Sequence, residues 1–261
     1  PDFNGNVPSS AFYDCAWLKS ANIPGAAHIG NSAFRGCTNL KSVYSPDVTG
    51  IGYAAFSGCS ELENANFPLV TTIEWSTFNG CSNLINVNIP ATTIGSSAFY
   101  SCSSLKSVSF PGVITINAST FGGCTELTTV SFPNATTIGQ YAFGNCTSLG
   151  KVSFPNVTTV GSTAFQGCVA LFEADLPKAW SFGSLAFFDV RNDFTLKIDS
   201  PTDAVTFGIT PFSTVTNNMT LYLGDGVTPA RPTSGSTIWN GYTDADDIWH
   251  GFTWKAIKSY Q

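Results

Sequence analysis

One spacing governs this chain. Phenylalanine stands at Phe12, Phe34, Phe56, Phe78, Phe99, Phe121, Phe143, Phe165 and Phe187, at steps of 22 residues with a single step of 21. Three residues beyond the first eight come Cys15, Cys37, Cys59, Cys81, Cys102, Cys124, Cys146 and Cys168, and three beyond those Leu18, Leu40, Leu62, Leu84, Leu105, Leu127, Leu149 and Leu171. Every cysteine of the chain lies in this column. Such a period marks a repeat architecture, because a unit this short cannot bury its own apolar face and must stack on copies of itself. The short step follows a deletion after Pro90, where Pro90-Ala91-Thr92-Thr93-Ile94 stands for Pro68-Leu69-Val70-Thr71-Thr72-Ile73. The period lives in the structure and the deletion in a loop.

Beyond each leucine runs a segment such as Leu105-Lys106-Ser107-Val108-Ser109-Phe110-Pro111, whose Val108 and Phe110 alternate with polar neighbours as a half-buried strand requires. Proline, unable to donate to a ladder, then ends the strand. A Thr-rich stretch leads to Ile73, Ile94, Ile116, Ile138 or Val160, and a Ser-Ser-Ala-Phe type of turn follows. A Ser or Thr cap there is expected to start a short helical or 3-10 turn. The expected fold is an α/β repeat solenoid, a right-handed superhelix with about 22-residue turns, a parallel strand face, and short helical turns on the other side. Regular repeats run from about 7 to 190 and degenerate ones over 191–223, where Leu196, Ile198, Phe207, Phe212 and Leu221-Tyr222-Leu223 keep the columns. The stretch 224–261 has a different composition, with Trp239, Tyr242, Trp249, Phe252 and Trp254 among Asp244, Asp246 and Asp247. It reads as a cap over the open end of the stack. The opening on Pro1 and the lone Met219 suggest a processed or trimmed product.

Charged residues make up 11% of the chain, against about 25% in an ordinary globular protein, so the surface is polar but largely uncharged. A net charge of -6 and 11 scattered Lys and Arg argue against a nucleic-acid partner. No apolar run is long enough to span a membrane, so direct insertion is not expected.

The pattern Ile-Gly-x-x-Ala-Phe-x-x-Cys-x-x-Leu-x-x-Val-x-Phe-Pro, as it runs from Ile138 to Pro155, resembles the BspA-like class of leucine-rich repeats. The tail, with Asp247-Ile248-Trp249-His250-Gly251-Phe252, is similar to the segment that follows such repeats in surface proteins of anaerobic bacteria. The resemblance implies a secreted or cell-surface-anchored protein with a role in adhesion to host proteins or other cells. Common leucine-rich repeats place Asn or Cys after the strand to tie down the loop. Here those places fall on Ala26, Val48, Val70, Thr92, Val113, Ala135, Val157 and Ala179, so no asparagine ladder is expected. Ligand surfaces of other repeat classes therefore do not transfer.

No catalytic residue, metal site or cofactor is expected. Equivalent cysteines on stacked coils sit about 4.8 Å apart, farther than the roughly 3.8 Å that a disulfide prefers between its Cβ atoms, so a buried thiol ladder is expected. Of only two histidines, His28 and His250 lie near opposite ends. Glu61 with Glu63, or Glu173 with Asp175, share a strand side but read as solvated. The Asp244, Asp246, Asp247 cluster lacks the rest of a calcium loop. Thr-Thr pairs at 71-72, 92-93, 136-137 and 158-159 put neighbours on opposite faces, which does not suit ice binding.

A ligand, if there is one, belongs on the outward column of the strands: Asn22, Tyr44, Asn66, Asn88, Ser109, Ser131, Ser153 and Asp175. Phe172 and Trp180 replace polar residues of their columns and are candidate aromatic anchors, or packing for the cap. The expected partner is a protein or glycan of a host or neighbouring cell. The alternative is a structural spacer that displays another domain.

Overall fold

The computed structural model describes residues 5–199, 205–212 and 219–223, together with the backbone of three short strands near the C-terminus. The chain winds as a parallel β-solenoid. One side carries β1 (Ser20–Asn22), β3 (Ser42–Tyr44), β5 (Asn64–Asn66), β7 (Asn86–Asn88), β9 (Ser107–Ser109), β11 (Thr129–Ser131), β13 (Lys151–Ser153), β15 (Glu173–Asp175), β17 (Thr195–Ile198), β19 (Thr220–Leu223) and β22 (Ala256–Ser259). A second side carries the two-residue strands β2 (His28–Ile29), β4 (Gly50–Ile51), β6 (Thr72–Ile73), β8 (Thr93–Ile94), β10 (Thr115–Ile116), β12 (Thr137–Ile138), β14 (Thr159–Val160), β16 (Ser181–Phe182) and β18 (Thr206–Phe207). A hairpin of β20 (Ile248–Trp249) and β21 (Phe252–Thr253) precedes β22, which pairs parallel with β19. The rest of 224–261, including Asp244, Asp246, Asp247 and His250, lies outside the described residues.

The first side is the strand face that the alternation predicts, whereas the second, a ladder of two-residue strands, has no counterpart among the expected elements. Register is set by burial: Ile116 pairs with Ile138 and Val152 with Ala174, all inward, so a one-residue slip would turn an apolar column to solvent. The strand side is not continuous. Its pairs are β1 with β3, β5 with β7 and β9 with β11, followed by an unbroken run β13-β15-β17-β19-β22. Breaks follow β3, β7 and β11, whose central Val43, Val87 and Val130 are only partly buried.

No helix occurs among the described residues, so the expected helical turns are corrected. Each turn carries residues at positive φ, as at Tyr141 (54°) and Asn145 (57°), and a helix cannot pass through them. Its N–H groups alternate in destination. Ala142 and Gly144 donate to Gly139 and Tyr141 of their own coil, whereas Tyr141, Phe143 and Asn145 donate to Ser162, Ala164 and Gln166 of the next. The left-handed residues are what aim alternate amides along the rod, and the bonds between coils offset their strain.

This turn side forms the continuous spine of the molecule. Every column phenylalanine from Phe12 to Phe187 donates its backbone N–H to the following coil, at 2.7–2.9 Å. The rings stack face to face from Phe12 to Phe212, with centroids 5.1–5.8 Å apart. Phe67, Phe110, Phe132 and Phe154 tilt against them from the strand side.

Cysteine has a specific place in this spine. Each thiol from Cys37 to Cys168 donates to the phenylalanine carbonyl of the preceding coil, as in Cys124 Sγ to Phe99 O at 3.2 Å. Seven of the eight free cysteines are buried, and only Cys15 is partly accessible. In native protein near neutral pH, a maleimide is therefore expected to label Cys15 alone, with full labelling only in denaturant. Peptide mass mapping that finds inner cysteines labelled in the native state would contradict a closed thiol column.

The deletion changes one column assignment. Ala26, Val48, Val70, Val113, Ala135, Val157 and Ala179 are fully buried as expected, but Thr92 is exposed and Ala91 takes the inner place at 2% exposure. With one residue fewer, Ala91 N bonds to Ile89 O, where Val70 N spans back to Phe67 O. Thr92 then donates to Thr71 O and so belongs to the outer column. The inner asparagine ladder is absent, but Asn134 and Asn156 hold Pro111 O and Pro133 O on the outside of the same loops, both at 2.8 Å.

Candidate functional site

The outward strand column lies where the alternation put it. Asn22, Tyr44, Asn66, Asn88, Ser109, Ser131 and Ser153 are exposed, and Asp175 is half-buried. Asn86 Nδ2 donates to Asn64 Oδ1 at 2.8 Å and Asn88 Nδ2 to Asn66 Oδ1 at 2.7 Å. These bonds lock the amides in a row, leaving Asn66 Nδ2 donor capacity and Asn88 Oδ1 acceptor capacity.

A groove of about 320 Å³ opens on this side at the break between β7 and β9. Its walls include Asn86, Asn88, Ser107, Ser109, Thr129 and Ser131, and its floor Val87, Val108 and Phe110, with Ile85 at one edge. The coil at this break is the one shortened by the deletion, although the breaks after β3 and β11 fall in coils of full length. The groove brings together Asn88, Ser109 and Ser131 of the expected column, leaving Asn22, Tyr44, Asn66, Ser153 and Asp175 outside it.

Toward the C-terminus the same side becomes ionic. Glu173 accepts from Lys151 at 2.7 Å and Lys197 at 3.0 Å, and Lys197 also lies over the Tyr222 ring. Partial burial works to raise the Glu173 pKa, but hydrogen bonds and charge from the two lysines hold it below the usual carboxylate value. Ser153 donates to Asp175 at 3.2 Å. Glu173 and Asp175 are thus engaged structurally, not poised as an acid-base pair. Phe172 and Trp180, at 43% and 44% exposure, precede β15 and β16 and so stand on different sides of the coil. The structure does not bring them together with Tyr44. No group of three or more His, Cys, Asp or Glu able to hold a metal occurs among the described residues.

A second concavity, of about 390 Å³, lies over the two-residue strands and was not anticipated. Its signal is a local loss of column consensus. The position before the inward isoleucine is Thr72, Thr93, Thr115, Thr137, Thr159, Ser181 or Thr206, but His28 and Gly50 in the first two strands. Directly after the isoleucine or its equivalent, Gly52, Gly95, Gly139, Gly161 and Gly183 approach the preceding coil so closely that a Cβ would fall 2.3–2.8 Å from its atoms; Glu74 and Asn117 replace that glycine elsewhere. Both replacements come with Thr for Ala before the phenylalanine. Thr77 and Thr120 donate to Glu74 O and Asn117 O at 2.7 and 2.8 Å, fastening the altered turn.

The family model for the BspA-type leucine-rich repeat region matches residues 5–127 and 92–217, in six copies. A solved leucine-rich repeat protein of T. pallidum is 28% identical, with 55% of this chain and 71% of that one covered at a TM-score of 0.50. One from Bacteroides ovatus is 22% identical, with 92% and 69% covered at a TM-score of 0.60, and it shares the fold. Among curated proteins no sequence match is found. Repeats of this class typically serve as binding scaffolds rather than catalysts. With the repeat matched over most of its length, this chain belongs to the BspA-type leucine-rich repeat family.

Proposed function

We propose that this solenoid is a non-catalytic recognition or adhesion module of a secreted or surface-anchored bacterial protein. It holds a host- or neighbouring-cell protein segment or glycan against its strand side. The observation that carries this reading is the groove between β7 and β9, where an apolar floor is rimmed by the hydrogen-bonding groups of Asn88, Ser109 and Ser131. Such a mixture suits an extended segment with one side chain buried and its backbone met by amides and hydroxyls. Tyr44, at 61% exposure, offers an aromatic contact two coils away. No described helix is long and apolar enough to cross a membrane.

The test is binding to immobilised extracellular-matrix proteins and glycans, comparing the protein with a Tyr44→Ala, Asn66→Ala, Asn88→Ala variant. Loss of several interface contacts is expected to weaken affinity at least tenfold, about 1.4 kcal/mol. The variant should unfold at nearly the same temperature, because all three side chains are exposed. Equal binding by variant and parent would remove Tyr44, Asn66 and Asn88 from recognition and favour the spacer.

A further inference from the structure

The second concavity lies where the ladder of two-residue strands is interrupted. That ladder pairs β2 with β4 and β6 with β8, then runs unbroken from β10 to β18, so its breaks fall between β4 and β6 and between β8 and β10. Both breaks have one cause. Where the ladder holds, a glycine follows the inward apolar residue and donates its N–H to the equivalent apolar residue one coil earlier. Gly52 donates in this way to Ile29 O, Gly95 to Ile73 O and Gly139 to Ile116 O, at 2.7–2.8 Å. At the two breaks Glu74 and Asn117 stand in that place. A Cβ there cannot approach the earlier coil as closely as the glycines do, and neither backbone N–H donates to it.

The two breaks are compensated differently. Asn117 turns its side chain to the abandoned acceptor, and Nδ2 donates to Ile94 O at 2.7 Å. Glu74 bears the same relation to Ile51, but a carboxylate has no proton to donate. Ile51 O, in a residue only 3% exposed, and Thr49 O receive no hydrogen bond from the next coil, whereas their counterparts Ile73 O and Thr71 O do. Among the described residues no ion pair engages the Glu74 carboxylate either. Glu74, Ile51, Thr49 and Asn31 all line the concavity of about 390 Å³, and Asn31 Oδ1 lies over Gly52. The His28 ring already covers Gly50 and stands apart from this set of oxygens.

We propose that a hard divalent cation of the calcium type binds between the Glu74 carboxylate and the Ile51 carbonyl. Thr49 O and Asn31 Oδ1 are the further oxygen donors, and water fills the remaining coordination positions. A carboxylate and a carbonyl oxygen held side by side repel unless a donor or a positive charge lies between them. Asn117 supplies the donor at one break, and the cation supplies the charge at the other. Calcium accepts carbonyl and carboxamide oxygens together with carboxylates, and a site with one carboxylate belongs to the weak class, with a dissociation constant of about 0.1–1 mM. Most of these donors are carbonyl oxygens, which no motif of acidic residues displays. The ion ties β4 to β6 across the break, away from the strand-side groove, so it stands or falls independently of the proposed recognition reading.

Terbium(III) reports such a site directly, because Tyr53 lines the concavity and Trp75 follows Glu74, where they can sensitise its emission. The full chain, freed of metal by a chelator, is titrated with terbium, and calcium and potassium then compete at constant ionic strength. Thermal unfolding is followed with and without calcium. The parent is compared with Glu74→Asn, which provides the donor that Asn117 provides, and with Glu74→Gln, which keeps the size of an exposed side chain and removes its charge. The expected result is sensitised emission displaced by calcium and not by potassium, and a calcium-dependent rise in the unfolding temperature. Both variants are expected to bind terbium at least tenfold more weakly and to unfold at a temperature that calcium leaves unchanged. Absence of displaceable emission, equal terbium binding by parent and variants, or a thermal response that potassium reproduces would overturn the proposal.

Discussion

Raising the pH above about 9 is expected to unfold this solenoid within one to two pH units, far more steeply than a protein without buried thiols. An unfolded cysteine ionises near 9.0, whereas desolvation in the core pushes Cys124 and Cys168 up to about 12. Burial likewise drives Cys59, Cys81, Cys102 and Cys146 upward, and Cys37 to about 11. A folded-state pKa raised above the unfolded one means that the native state retains protons that the unfolded chain releases. That stability is intact below pH 9 and is lost as pH climbs toward the folded values.

Each thiol neutral in the native state and ionised in the unfolded one contributes a slope of about 1.4 kcal/mol per pH unit. The six thiols from Cys59 to Cys168 act together, so the combined slope approaches about 8 kcal/mol per unit. A domain holds only about 5–15 kcal/mol in total, so the transition falls near pH 10–11. Urea unfolding in reductant at pH 8, 9, 9.5 and 10 measures the slope directly. A Cys102→Val, Cys124→Val variant is expected to lose about a third of it. Stability that stays level to pH 10.5 would show that the thiols do not govern alkaline stability.

Replacing Phe121 by alanine is expected to cost about 3–5 kcal/mol, a large share of what holds a domain folded. Phe121 is fully buried, stacks at 5.5 Å on both Phe99 and Phe143, and meets Phe110 and Phe132 from the strand side. The cavity has little chance to collapse, because the coils above and below remain pinned by backbone bonds from Phe99 to Thr120 and Phe121 to Ala142. In a stack whose coils touch only their neighbours, a weakened interface also weakens the coupling between the two halves. Calorimetry is expected to resolve one transition into two, and hydrogen exchange to show the coils around Phe121 opening first. Phe172→Ala, at an exposed position, is expected to change stability by less than about 0.5 kcal/mol. Equal losses for the two variants would show that the phenylalanine stack is not the spine.

The columns of this solenoid were readable because a one-dimensional stack repeats its burial. Each coil must put its Phe, Cys, Leu and Ile at the same place, so a 22-residue rhythm names core residues, strand alternation and outward side chains without coordinates. Phe34, Cys37, Leu40 and Ile51 are all buried, and Asn66, Asn88 and Ser109 all exposed, as that rhythm requires. The turns were not readable as turns. Ser and Thr before Ala-Phe suit a helix cap, and only the neighbouring coil, by accepting the alternate amides, makes a left-handed residue such as Tyr141 the lower-energy choice.

The same holds for the concavities. Deletion after Pro90 was visible as a gap in spacing, but not that a break in the strand ladder would open beside it, since pairing depends on how two coils settle against each other. His28 is an isolated histidine along the chain, with no second one near it. Its real neighbours, Gly50, Tyr53 and Glu74, are 22 or more residues away and come together only when coils stack. Periodicity shows what every coil shares, because each must satisfy the same core. What a few coils do differently acquires meaning only in three dimensions, where their departures prove to be adjacent.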